Sequence, residues 1–342
     1  LDPATTYEYK IQVGEYVTVA ANFTTAPQRG TEKIRFAYLG DTRAGYGGAL
    51  NKHMGVNYVT LERLCSIAYS KGAHFLAVGG DLVSGYTAVP SDFDLQLHAW
   101  KQATLGFWSE RPVYAAMGNH DALMRVFKDG SEYGVEVDRW PYSTESAEAA
   151  FARWFDHPLN GPEVSDPRRP TYKENVYSFQ YGCVKTIVFN NNYWMSNQPR
   201  LYGGSPEGYL MEDQLGWIGA ELKKAEADPS VSYVFLIAQE PVFPNGGHLD
   251  DSMWYLGDNN MRAGVFKDGK LVLEKRGIVE VRNEFLAMVS SSRKVAAVLG
   301  ADEHAYHRLL VTKEVPVGVI EKDDKDKNGK IDLDKKETCS PL

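Results

Sequence analysis

Asp41, Asp81, Asn119, Gln239 and the pair Asp302 and His304 each stand two to five residues beyond a short apolar run. The runs are Ile34-Arg35-Phe36-Ala37-Tyr38-Leu39, His74-Phe75-Leu76-Ala77-Val78, Pro112-Val113-Tyr114-Ala115-Ala116-Met117, Tyr233-Val234-Phe235-Leu236-Ile237 and Val295-Ala296-Ala297-Val298-Leu299. Acids, carboxamides and an imidazole bind ligands and exchange protons. If the runs are strands of an open α/β sheet, these groups lie beyond the carboxyl ends, where such sheets bind ligands. Five clusters in matching places are therefore expected to converge on one site.

The intervening segments support that arrangement. Val56 to Ala68, Phe93 to Phe107, Leu215 to Ala225 and Val279 to Val289 carry apolar residues at helical spacing. A further strand is expected over Thr186-Ile187-Val188-Phe189. Strands alternating with helices predict an α/β fold with a largely parallel sheet covered on both faces. The 342 residues suffice for one large domain or two smaller ones, with 43% hydrophobic and 24% charged residues, as in ordinary globular chains. A formal net charge of -8 argues against nucleic acid as the main partner. It leaves room for a small anionic substrate, because a bound metal reverses the local field. No apolar run is long enough to span a membrane. Cys65, Cys183 and Cys339 have no metal-type spacing, and the first two read as buried thiols.

The clusters, with their neighbours, read Gly40-Asp41-Thr42-Arg43, Gly80-Asp81, Gly118-Asn119-His120-Asp121, Ala238-Gln239-Glu240-Pro241 and Ala301-Asp302-Glu303-His304. In order and spacing they resemble the five motifs of the calcineurin-like metallophosphoesterases, nearest to the purple acid phosphatases. The resemblance implies a four-layer sandwich of two mixed β-sheets flanked by helices, over residues 33–314. It also implies hydrolysis of a phosphate monoester or diester by an activated water, without a covalent enzyme intermediate, and a secreted or periplasmic protein. In that scheme two cations roughly 3.5–4 Å apart are bridged by a carboxylate. By resemblance Asp81 is the bridge, Asp41 and His304 hold the first cation, and Asn119, Gln239 and Asp302 hold the second. His120 is then a proton donor to the leaving oxygen or a phosphate-binding cation, with Asp121 orienting its imidazole.

Three positions depart from the family pattern. Arg43 stands where many members have a first-cation histidine; a guanidinium cannot ligate, but it can clamp a phosphate oxygen. Gln239 and Asp302 replace histidines of the fourth and fifth motifs. The resulting all-oxygen second site suits magnesium, manganese or calcium better than zinc or iron. Ser84 stands where the purple enzymes carry a tyrosine. A catalytically degenerate binding module on the same scaffold is the alternative to hydrolysis. His248, in a Gly-rich loop, either enters the pocket to touch substrate or is a solvated loop residue.

Both ends carry separate signals. Residues 1–27 resemble the last strands of a fibronectin type III-like domain, with Tyr7, Tyr9 and Ile11 alternating against polar residues. Residues 315–342 form a charged tail in which Asp324, Asp326, Asn328, Lys330 and Asp332 match the first nine positions of an EF-hand-type calcium loop, around Gly329. Lys335 stands at position twelve, where a bidentate acid is expected. A calcium-stabilised extracellular interaction domain and a solvated turn are the two readings of this segment.

Overall fold

The structure is a computed structural model that describes residues 1–44, 52–128, 130, 134–332 and 340–341. Two sheets form its centre. The first contains β1 (Phe36–Leu39), β2 (Phe75–Val78) and β3 (Val113–Ala115), all parallel. The second contains β4 (Tyr177–Tyr181), β5 (Val184–Val188), β6 (Tyr233–Ile237) and β7 (Val295–Leu299). There β4 and β5 are antiparallel, while β5–β6 and β6–β7 are parallel. Only the second sheet is mixed, because β4 enters through the tight hairpin at Gly182 (φ +58°).

Side-chain alternation creates the layers. Phe75 and Ala77 of β2 face Tyr177, Phe179 and Tyr181 of β4, and the Tyr114 and Phe179 rings stack with centroids 3.6 Å apart. The intervening Leu76 and Val78 point the other way, onto α1 (Tyr58–Ser70) and α2 (Pro90–Trp108). Helix α1 buries Leu61, Cys65 and Ala68 at helical spacing, while Val59 and Ile67 stay exposed. Helix α2 starts with Pro90 in its first turn and buries Phe93, Leu97, Trp100 and Phe107. On the far side, Ile187, Val234 and Leu236 meet α3 (Glu212–Ala227) and α4 (Ile278–Ser291) through Leu215, Ile218, Val281 and Phe285. The order of layers is helix, sheet, sheet, helix.

The amino-terminal residues form short antiparallel ladders, Thr6–Tyr9 with Ala21–Thr24 and Gln12–Val13 with Tyr16–Val17. Tyr7 stacks on Phe23, and the Tyr9 hydroxyl donates to the Ser109 carbonyl at 2.9 Å, tying the hairpin to the end of α2. At the other end, Val317 and Ile331 are buried in the core beneath α4. No helix among the described residues is long and apolar enough to cross a membrane.

Candidate active site

The turns after β1, β2, β3, β6 and β7 press against one another. A Cβ on Gly40 would lie 2.5 Å from the Ala301 Cβ, and one on Gly80 (φ +114°) would lie 2.5 Å from Gln239 Oε1. One on Gly118 would meet Asp81 N and Oδ1 at 2.3 Å. The glycines preceding the polar residues therefore let the turns approach. Asp41, Asp81, Asp302 and His304 all hold left-handed backbone, with φ of +53°, +51°, +69° and +50°. Non-glycine residues adopt that region at a cost, and such residues gather at functional sites.

Asp41, Asp81 and His304 bring ligand atoms within 4.8 Å of one another. Arg43 stands inside this group. Its Nε donates to Asp81 Oδ2 at 2.8 Å, and its Nη2 is 3.4 Å from His304 Nε2. Asp81 Oδ1 accepts the His120 N–H at 2.9 Å, so both oxygens of the fully buried Asp81 are engaged. Asp41 accepts from Gln239 Nε2 at 3.0 Å and from the Asp302 N–H at 3.1 and 3.0 Å. A cavity of about 470 Å³ opens beside the group, lined by Asp41, Arg43, Asn57, His304 and Tyr306.

The remaining predicted residues are placed as follows. Asn119 donates to Glu207 Oε1 at 3.2 Å and its own oxygen accepts the His120 N–H. Gln239 is fully buried, and its Oε1 has no hydrogen-bond partner among the described residues. Asp302 does not gather with the Asp41 group; its carboxylate lies with His248 and Asp251, all ligand atoms again within 4.8 Å.

His120 is oriented differently from expectation. Its Nδ1 donates to the Ser84 carbonyl at 2.8 Å, and its ring lies edge-on to Tyr86 with centroids 4.4 Å apart. Among the described residues no hydrogen bond links Asp121 to the imidazole. Its carboxylate accepts N–H groups from Leu82 (3.0 and 3.2 Å), Val83 (3.2 Å) and Gly118 (2.8 Å), joining the turns after β2 and β3. Buried N–H groups of those turns need acceptors, and Asp121 is the buried acid between them.

Electrostatics follow burial. Desolvation, then the charges of Asp121 and Asp41, hold the Asp81 carboxyl well above the usual carboxylate range. Burial pushes Asp121 and Asp302 up to about 7 and His120 down to about 4. Glu240 is likewise raised, first by burial and then by the Asp302 charge. Acids crowd here against Arg43 and the histidines, so a phosphate needs added positive charge to enter.

Glu207, Glu240, Asp251 and Glu303 were not among the sequence candidates. Glu240 adjoins Gln239, Glu303 lies between Asp302 and His304, and Asp251 follows His248 at the i+3 position, which are the signals available in the sequence. In the tail loop, Asp324 accepts N–H groups of Asn328 and Gly329, Asp326 accepts from Asn328, and Asp332 accepts from Lys325. Among the described residues the three acids do not gather to metal-ligand distance. Position twelve, Lys335, lies outside the described residues, as does Cys339.

The calcineurin-like phosphoesterase family profile matches residues 34–273, over half of the chain, and the chain belongs to that family. No curated protein matches the chain in sequence. Among solved structures, a structure of PhoD aligns at 12% identity with TM-score 0.50, covering 89% of this chain and 58% of that one. The chain thus spans little more than half the length of that neighbour, and the likeness concerns the fold. A dimetal phosphatase from Danio rerio aligns at 12% identity with TM-score 0.39, covering 79% of this chain and 82% of that one. GAP50, described as the anchor in the inner membrane complex of Plasmodium, aligns at 13% identity with TM-score 0.32, covering 63% of this chain and 57% of that one.

Whether divalent cations fit can be asked of the donor atoms. Asp41, Asp81 and His304 have the right types and separation for one cation. Arg43 competes, because its guanidinium already neutralises Asp81 Oδ2. Gln239 Oε1 and Asp302 Oδ2, buried oxygens without a hydrogen-bond donor among the described residues, also call for positive charge.

Proposed function

We propose that the chain is a divalent-cation-dependent phosphoesterase acting on a small phosphate monoester or diester. The observation that supports this reading is the meeting of Asp41, Asp81 and His304, beside an open cavity, within a chain of this family. Bound cations would neutralise the phosphate oxygens and supply an activated water. Asp41, Asp81 and His304 would hold one of them, while Asn119 and Gln239 offer carboxamide oxygens close by. Arg43, at the cavity wall, would bind a phosphate oxygen through Nη1, for which no hydrogen bond is found among the described residues. His120 is held by Ser84 through Nδ1, and its Nε2, without a hydrogen bond among the described residues, would face the leaving oxygen or a phosphate oxygen. A phosphate dianion beside it would draw its pKa back up from about 4. The secreted or periplasmic setting belongs to the same proposal.

The Arg43–Asp81 ion pair favours a second reading, a phosphate-binding module without turnover, because a guanidinium holds an oxygen that a bridging carboxylate needs. Hydrolysis of p-nitrophenyl phosphate and of its bis ester, after loading with manganese, magnesium, calcium, zinc or iron(II), separates the two. Turnover lost in Asp81→Asn and reduced in His120→Ala supports the enzyme. Phosphate binding with no turnover above Asp81→Asn in any metal leaves the binding module. Calcium in the tail loop is a separate proposal, supported by the oxygen-bearing side chains at its first nine positions.

A further inference from the structure

We infer that His248, Asp251 and Asp302 form a divalent-cation site of their own, beside the Asp41–Asp81–His304 group. His248 Nδ1 lies 3.2 Å from Asp251 Oδ2 and 3.4 Å from Asp302 Oδ2. Among the described residues two oxygens of the group, Asp302 Oδ2 and Asp251 Oδ1, are buried and accept no hydrogen bond from an N–H or hydroxyl, and the Glu240 carboxyl that adjoins Asp302 is itself an acid. Asp302 is only 2% exposed, and the unsatisfied oxygen is the one turned toward His248. A buried carboxylate oxygen left in that state is costly, and a cation removes the cost.

The surroundings hold the group in place. The Glu303 carboxylate accepts the N–H groups of Asn245, Gly246 and Gly247 at 2.7, 2.9 and 2.9 Å. The turn that carries Asp302 therefore also fixes the loop that carries His248. Ser252, fully buried, donates from Oγ to the His248 carbonyl at 3.2 Å. The side chains of His248 and Asp251 remain about one-third exposed, which gives an ion a way in. The His248 and His304 rings stand 6.4 Å apart, so the two groups are neighbours.

The chemistry differs from the all-oxygen second site expected from the sequence. Gln239 has spent its amide N–H on Asp41. His248, nine residues further along, brings an imidazole to Asp302 instead. One imidazole with two carboxylates suits a first-row cation such as manganese(II) or zinc better than magnesium or calcium.

The inference rests on the reading that this site works with divalent cations, and its test reads binding and not turnover. Manganese(II) titration of the full chain, followed by electron paramagnetic resonance, is compared for wild type, His248→Ala, Asp251→Asn and Asp81→Asn, with circular dichroism to verify folding. The expected result is loss of one bound ion, or weakening of at least roughly tenfold, in both His248→Ala and Asp251→Asn. Asp81→Asn should retain that ion. Wild-type binding in the folded His248→Ala and Asp251→Asn variants overturns the site and leaves an ordinary His–Asp ion pair. If the ion binds as expected but no phosphate ester is hydrolysed, the phosphoesterase reading falls and the site stands.

Discussion

Nε of Arg43 lies 2.8 Å from Oδ2 of Asp81, an ion pair between the turns after β1 and β2 at the place where the family pattern would put a histidine ligand. Removing one partner of a buried pair leaves the other uncompensated, at about 3 kcal/mol or more. Arg43→His should therefore lower thermal stability in chelator and regain it in manganese, with manganese affinity raised by roughly tenfold. Melting curves with and without manganese check both directions, and an Arg43→His protein that binds no more tightly than wild type counts against a cation at Asp41, Asp81 and His304.

Asp121 joins two turns through backbone N–H groups, which makes it a structural strut. Asp121→Ala should cost about 3 kcal/mol, because hydrogen bonds to a charged acceptor are each worth roughly 1.5–3 kcal/mol and their buried donors would be stranded. Urea unfolding measures the loss. Asp121→Asn should recover part of it, since the amide oxygen still accepts.

His157 provides a pH test away from the site. It is buried, donates from Nδ1 to the Glu174 carbonyl at 2.7 Å and stacks on Tyr177 with centroids 4.4 Å apart. Burial pushes its pKa down to about 4. Between pH 4 and 6.5 the unfolded chain binds a proton that the native imidazole does not, so this contribution is complete above about pH 6.5 and is lost as pH falls toward 4. The shift bounds it at roughly 3 kcal/mol. Urea midpoints at both ends of the window should show a shallower pH slope in His157→Asn than in wild type.

The tail loop predicts a calcium effect. A site with a dissociation constant near ~0.1 mM would add about 1.4 kcal/mol at ~1 mM calcium. Thermal melts should then rise in calcium for wild type and stay level for Asp324→Ala. An unchanged wild-type melt would show the loop to be a hydrogen-bonded turn.

Much of the fold is visible locally. The apolar runs became β1, β2, β3, β6 and β7 within a few residues, because a buried strand needs apolar side chains on both faces. Strand β4 lies outside the strands expected from the sequence, although Tyr177, Phe179 and Tyr181 alternate with Ser178 and Gln180, a period-two pattern facing the other sheet. The hairpins Met124–Phe127 with Val135–Asp138 and Gly264–Lys267 with Lys270–Leu273 were also missed. Each strand is only four residues long, too short for periodicity to stand out.

For the site, the sequence by itself located turns that the fold brings together, since polar residues just after apolar runs are a local property. Only the tertiary structure decided the partners. Asp121 turned to backbone amides, Arg43 to Asp81, and Asp302 to His248 and Asp251. Those choices depend on which buried donors and acceptors come within about 3 Å after the two sheets pack, and on the cost of leaving any unpaired. No spacing along the chain encodes that distance.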